Sequence, residues 1–130
     1  MQDPKQDHYD AVIRVLRYIE RNPGQGILLN SECDFQRRAF CDSDWASCPI
    51  SRRSVTGYFV TLGTSPISWK IKKQPTVSRS SAEAEYRPMA SATTELLWFK
   101  SFLQSLGVTH SKPMQLFCDS QSALHIASNP

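Results

Sequence analysis

An α/β domain, with helices laid against a mixed sheet, is the fold class this sequence predicts, and three observations predict it. Between residues 35 and 74 run three stretches rich in β-branched and aromatic residues, divided by turn chemistry. A long helical pattern follows from Ser81 to Leu106. A compact apolar run, "MQLFCDS", then returns to strand character. Three strands in hairpin succession and a helical crossover to a fourth give three antiparallel strands plus one parallel strand, flanked by helices. At 130 residues, 40% hydrophobic and 21% charged, the chain has the length and composition of one globular domain with a modest core.

Taken in order, "HYDAVIRVLRYIER" (residues 8–21) sets Tyr9, Val12, Ile13, Leu16 and Ile19 at helical spacing, and "NPGQG" stops that helix. "ILL" (27–29) reads as a short strand, and "FQRRAFCDSD" as a second that ends in acids. "SVTGYFVTLG" and "SPISWKIKKQ" are joined by the hairpin turn "GTSP", with Trp69 read as core. The long helix closes on Gly107 as its C-cap. Pro88 conflicts with it, because an interior proline removes an amide donor and costs about 3 kcal/mol, so a kink or a late start is expected. "SALHIASN" is a short last helix.

Several function classes fall away. No run of about 18 apolar residues is present, so no membrane span is expected. The polar start "MQDPKQDHYD" lacks the apolar core of a secretory signal. Cys33, Cys41, Cys48 and Cys118 form no CxxC pair, which fits reduced thiols in an intracellular protein, cytoplasmic or nuclear. The serines at 78, 80 and 81 lack a GxSxG elbow. The net charge of +3 is unevenly spread: residues 37–87 hold nine basic and four acidic side chains, and the rest of the chain carries −2. A basic middle suits a polyanionic partner, although it equally suits a solvated face.

The acids inside that basic segment carry the chemistry. In "SSAEAEYRPMA", Ser80 and Glu83 have the spacing of a capping box, which gives Glu83 a structural task. Glu85 falls at the edge of the buried face, with Met89, Ala92 and Leu96 along its side of the helix. A carboxylate there needs a partner, either a cation such as Arg79 or a metal. Asp42 and Asp119 each end a strand after a Cys, as turn residues commonly do. If those strands are neighbours, Asp42, Asp119 and Glu85 converge, and three carboxylates without cations call for a divalent ion. Oxygen ligands select Mg²⁺, or Mn²⁺, and a metal beside a basic surface suggests attack on a phosphodiester.

At these residues the chain resembles a known family. "CDSDWASCPISRRSVTGYFVTLGTSPISWKIKKQPTVSRSSAEAEYRPMASATTELLW", followed by "LFCDSQSALHIASNP", is similar to the ribonuclease H domain of plant copia-type retrotransposon polyproteins. Residues 8–29 resemble the segment linking reverse transcriptase to that domain. The resemblance implies a connection segment over 1–35 and a ribonuclease H-like domain over 36–130. It implies a five-stranded mixed sheet and hydrolysis of the RNA strand of RNA–DNA hybrids by two Mg²⁺ ions on four acids. Three of those acids map onto Asp42, Glu85 and Asp119, as catalytic and metal-holding residues; Asp44 stands in the same "DSDW" stretch on the same strand face. The fourth acid, with a fifth strand and a final helix, is expected beyond the "NP" at 129–130. On that expectation the domain is truncated and cleaves feebly in this form, and a non-catalytic nucleic-acid-binding remnant of the same fold is the alternative. The reverse transcriptase portion of the same polyprotein is the implied protein partner.

For the hybrid itself, Arg52, Arg53, Lys72 and Lys73 beside the hairpin suit phosphate contacts, with solvated lysines as the plain alternative. Gln74, Ser81 and Gln121 offer groups for 2′-hydroxyls in the minor groove.

Overall fold

The computed structural model describes residues 3–109 and 111–129; Pro130, the last residue of the resemblance, lies outside them. The elements are α1 (Gln6–Arg21), β1 (Arg37–Asp44), β2 (Val55–Leu62), β3 (Ser65–Lys73), α2 (Ser81–Ser105), β4 (Gln115–Phe117) and α3 (Gln121–Ser128). They form a mixed sheet in the order β3-β2-β1-β4, antiparallel except for the parallel β1–β4 pair. This α/β architecture is consistent with the ribonuclease H-like fold. The crossover to β4 passes through α2, as a parallel neighbour requires.

Alternation along the strands decides what each face does. Ala39 and Cys41 of β1 and Val60 of β2 point to one side and pack beneath Met89, Ala92 and Leu96 of α2 and Ala123 of α3. The other side is open. Phe40 pairs in register with Phe59 and with Phe117, and Phe59 pairs with Trp69. One row of four aromatic residues therefore crosses the sheet on its uncovered face, with Phe40 and Phe117 stacked at 5.0 Å. Trp69 is 56% exposed in this row, so it is not the core residue its sequence context suggests. Its strand neighbours Ser68 and Lys70 are the ones turned toward α2.

Two turns demand glycine. Gly107 at φ +77° closes α2, with its amide on the Gln104 carbonyl and the Val108 amide on that of Leu103, the paired bonds of a Schellman motif. Gly63 at φ +58° begins the β2–β3 turn, and a β-carbon there would lie 2.6 Å from Cys33 Sγ. The "ILL" segment is not a strand. Ile27, Leu28 and Leu29 are all exposed and pair with no sheet edge; the segment is tied down just after them, where the Asn30 amide meets Ser65 Oγ at 2.9 Å. Among the described residues α1 touches no other helix or strand, and its apolar stripe of Tyr9, Val12, Leu16 and Ile19 faces outward.

Pro88 neither ends nor delays α2, which runs through it with the proline ring buried. The ring leaves the Ala84 carbonyl without its helical donor. Gln74 replaces that donor: its side-chain Nε2 lies 3.0 Å from Ala84 O, 2.8 Å from Thr56 Oγ1 and 3.3 Å from Ser43 Oγ. Its Oε1 accepts from Ser78 Oγ at 2.7 Å. Gln74 is only 4% exposed, so the expectation that it meets substrate is corrected; it is held inside by four polar partners. Gln74→Ala should cost about 2–4 kcal/mol in denaturant unfolding, because buried groups lose their partners. In a Pro88→Ala background, where a helical amide again serves Ala84, the same change should cost about 1 kcal/mol less. Equal costs in both backgrounds would show that the glutamine does not compensate for the proline.

Candidate functional site

The β1–β4 register ends with Phe40 opposite Phe117. Continuing both strands by two residues brings Asp42 and Asp119 to the same level at the same end of the sheet. Both aspartates are exposed. Asp42 Oδ1 accepts from the Ser43 amide at 2.7 Å, and Asp119 is followed at once by Ser120, the N-cap of α3. Glu85 reaches this end from the second turn of α2. Ligand atoms of Glu85, Cys118 and Asp119 lie within 4.8 Å of one another.

Glu85 is the strained member. Its Oε2 is buried with no hydrogen-bond partner. Its pKa is pushed up to about 7, first by burial and then by the charges of Asp42 and Asp119, with Asp44 adding to them; a backbone hydrogen bond from Ser43 acts in the opposite direction. Arg87, two residues on, is engaged elsewhere. The Arg79 amide and the Arg87 guanidinium both bind Glu83, each at 2.8 Å. Together they lower the Glu83 pKa, the Arg79 amide most. Ser80 Oγ accepts from the Glu83 amide at 3.2 Å, as a capping residue does. The Glu83 carboxylate, however, returns to the amide of Arg79, one residue before the position a capping box uses. One glutamate thus takes the cap and the arginine, and the other is left facing two aspartates.

Beneath the carboxylates lie two thiols, one step past the paired phenylalanines. Cys41 is 7% exposed, and its thiol donates to the Phe117 carbonyl at 3.5 Å. Burial pushes its pKa up to about 12, with Cys118, Glu85 and Asp42 adding to the effect. Cys118 is half-buried and sits among the acids. Sequence reasoning did not give it a role, although the repeated "FCDS" at both strand ends was the available signal.

The basic residues flank the same end of the sheet. Lys72 stands in register with Thr56, which stands in register with Ser43, so it is two strands, about 10 Å, from the acid-bearing strand. Lys70, Lys72, Lys73 and Arg87 line a cleft of about 400 Å³ between β3 and α2. Among the described residues neither Lys70 nor Lys72 has an ion-pair partner. Lys73 Nζ donates to Cys48 Sγ at 3.1 Å and helps, after the hydroxyl and amide of Ser51, to lower the Cys48 pKa to about 6. That contact draws the loop bearing the exposed Arg52 and Arg53 toward the end of β3. Ser81 and Gln121 are the exposed first residues of α2 and α3. Of the expected substrate-facing residues, only Gln74 is turned inward.

No family model matches the chain. Over all 130 of its residues it is 43% identical to the retrovirus-related Pol polyprotein from transposon RE2 of Arabidopsis thaliana, and 40% identical to that from transposon RE1 of the same plant. Over 129 residues it is 36% identical to the retrovirus-related Pol polyprotein from transposon TNT 1-94 of Nicotiana tabacum. The matched segment makes up 9%, 9% and 10% of those relatives, so the chain spans about a tenth of their length. No helix among the described residues is long and apolar enough to cross a membrane. The chain is a homologue of one segment of the retrovirus-related Pol polyproteins of plant transposons.

Proposed function

We propose that the chain is the ribonuclease H domain of such a polyprotein and cuts the RNA strand of an RNA–DNA hybrid at a centre of Asp42, Glu85 and Asp119. Glu85 is the observation that carries this reading. A buried, unpartnered carboxylate oxygen pressed by two further acids is a costly arrangement unless a cation resolves it. The donors fit a hard divalent ion, Mg²⁺ or Mn²⁺, with Asp42, Glu85 and Asp119 to hold it. When bound, such an ion polarises the phosphate and lowers the pKa of a bound water.

The remaining work belongs to the chain's own side chains. Arg52, Arg53, Lys72 and Lys73 seat the phosphate backbone without reading base sequence. Ser81 and Gln121, at helix starts whose free amides favour anions, offer a hydroxyl and an amide to 2′-hydroxyls, which is how RNA is told from DNA. The exposed stripe of α1 is assigned to contact with the reverse transcriptase portion of the same polyprotein.

Hybrid binding by the chain should weaken with salt at a log–log slope of about −3 to −4, and each of Lys72→Ala and Lys73→Ala should flatten that slope by about 1. Cleavage of a labelled hybrid should require Mg²⁺ or Mn²⁺ and fall by about 100-fold or more in Asp42→Asn. Binding without metal-dependent cleavage would leave a nucleic-acid-binding role in its place. Cleavage untouched by Asp42→Asn would remove the assigned centre.

The raised pKa of Glu85 makes a second prediction without substrate. In the metal-free protein the folded state holds the Glu85 proton up to about pH 7, whereas the unfolded chain releases it near 4.3. Folding therefore binds a proton in that window, and stability falls as pH rises through it. Glu85→Gln should stabilise the metal-free protein by roughly 1–2 kcal/mol at pH 8, after allowance for solvent screening, and by nothing at pH 4. Thermal unfolding at both pH values, with and without Mg²⁺, measures this. Mg²⁺ should raise the midpoint of the wild type more than that of the variant.

A further inference from the structure

We infer that Cys118, together with Glu85 and Asp119, forms a site for a thiophilic divalent ion, Zn²⁺ or Cd²⁺, which displaces Mg²⁺ and shuts the centre down. The inference shares Glu85 and Asp119 with the proposed nuclease centre and adds a regulatory property to it. It does not require hybrid cleavage to be observed. The geometry points to it directly: the thiol sulfur and one oxygen from each carboxylate lie within 4.8 Å of one another. In a tetrahedral zinc site, bond lengths of about 2.3 Å to sulfur and about 2.0–2.2 Å to oxygen put neighbouring ligand atoms roughly 3.5 Å apart. Closing the cluster by about 1 Å is within the reach of side-chain rotation.

An independent observation is the Glu85 oxygen buried without a partner, a ligand atom already stripped of water. Nearby thiols do not duplicate the arrangement. Cys41 is bonded to the Phe117 carbonyl and touches Cys118 but is not one of the three converging ligands, and Cys48 lies beside Lys73. Mg²⁺ takes six oxygens and gains little from sulfur, whereas thiolate is the ligand that selects zinc and its congeners. On coordination the thiol proton leaves to solvent, and water completes the tetrahedron. With Cys118, Glu85 and Asp119 around one ion, two of the three proposed carboxylates are withdrawn from hard-metal chemistry.

Cadmium is the probe, because each sulfur–cadmium bond gives a charge-transfer absorption in the ultraviolet. The intact chain should bind one Cd²⁺ with that absorption, and millimolar Mg²⁺ should not remove it. Cys118→Ser should abolish it, while Cys48→Ser and Cys41→Ser retain it. Glu85→Gln, a variant expected to fold at least as well as the parent, and Asp119→Asn should each weaken Cd²⁺ by about 10- to 100-fold. Absorption that survives in Cys118→Ser overturns the site, as does an affinity indifferent to both carboxylate variants or a Cd²⁺ complex that equimolar Mg²⁺ dissolves. If cadmium binds as described and no hybrid is cut, the nuclease reading fails alone. If hybrid is cut with Mg²⁺ and Zn²⁺ neither binds nor inhibits, this inference fails alone.

Discussion

The side-chain amide of Gln74 is the interaction on which the positions of the functional groups depend. It joins Ser43 of β1, Thr56 of β2 and the Ala84 carbonyl of α2, and its oxygen holds Ser78 in the loop that leads into α2. Each of those groups would be costly to bury alone. Together they fix the first turns of the helix against the end of β1, and Ser43 and Ala84 are the chain neighbours of Asp42 and Glu85. The carboxylates are thereby held close despite their mutual repulsion. Pro88 belongs to the same arrangement. By leaving a helical carbonyl free, it gives the glutamine an acceptor that a regular helix would not offer.

Charge is sorted at the site with similar economy. Arg87 lies within one helical turn of both glutamates in sequence, yet its guanidinium is drawn to Glu83, which also takes the backbone amide of Arg79. Glu83 is near the start of α2, where a carboxylate also meets the positive end of the helix dipole. Glu85, two residues on, faces the sheet, where the charges of Asp42, Asp119 and Asp44 press on it. The cationic side chains gather instead along β3, roughly two strand spacings away, and in the loop before β2. Negative charge is concentrated at a point and positive charge spread beside it. A polyanion can lie along such a surface while a cation occupies the point.

Much of this was legible in the sequence, for reasons specific to each element. The period of α2 and its stop at Gly107 are local properties of the chain, and so is the end of β1 at Asp44; β4 stops at Phe117, two residues before the acid at which its sequence suggests an end. The alliance of Asp42 with Glu85 needed only strand adjacency and a helix face. What escaped was non-local. Gln74 follows "KIKK" and looks solvated; nothing nearby in sequence shows that Thr56 and Ala84 will enclose it. Trp69 has a core composition, but its burial depends on whether anything covers that face of the sheet, and among the described residues no helix or strand does. "ILL" has strand propensity but pairs with neither edge strand, β3 or β4; the chain just after it is tied instead to the Ser65 hydroxyl. Cys118 was passed over because thiols were judged by their spacing to other thiols, not by the acids beside them.

The same end of the fold carries a saturated polar cluster and an unsatisfied one. A few ångströms of backbone separate Gln74, whose side-chain groups are all partnered, from Glu85, which has a buried oxygen with none. These are two halves of one physical requirement. A carboxylate can be held in a desolvated, repelled position only if its backbone cannot relax, and a saturated buried hydrogen-bond network is what prevents relaxation. Loosening the network would let α2 drift from β1 and return Glu85 to water, with its pKa falling toward that of a free glutamate. The stability given up at Glu85 is thus inseparable from the rigidity supplied by Gln74, and a substitution at either should be felt at the other.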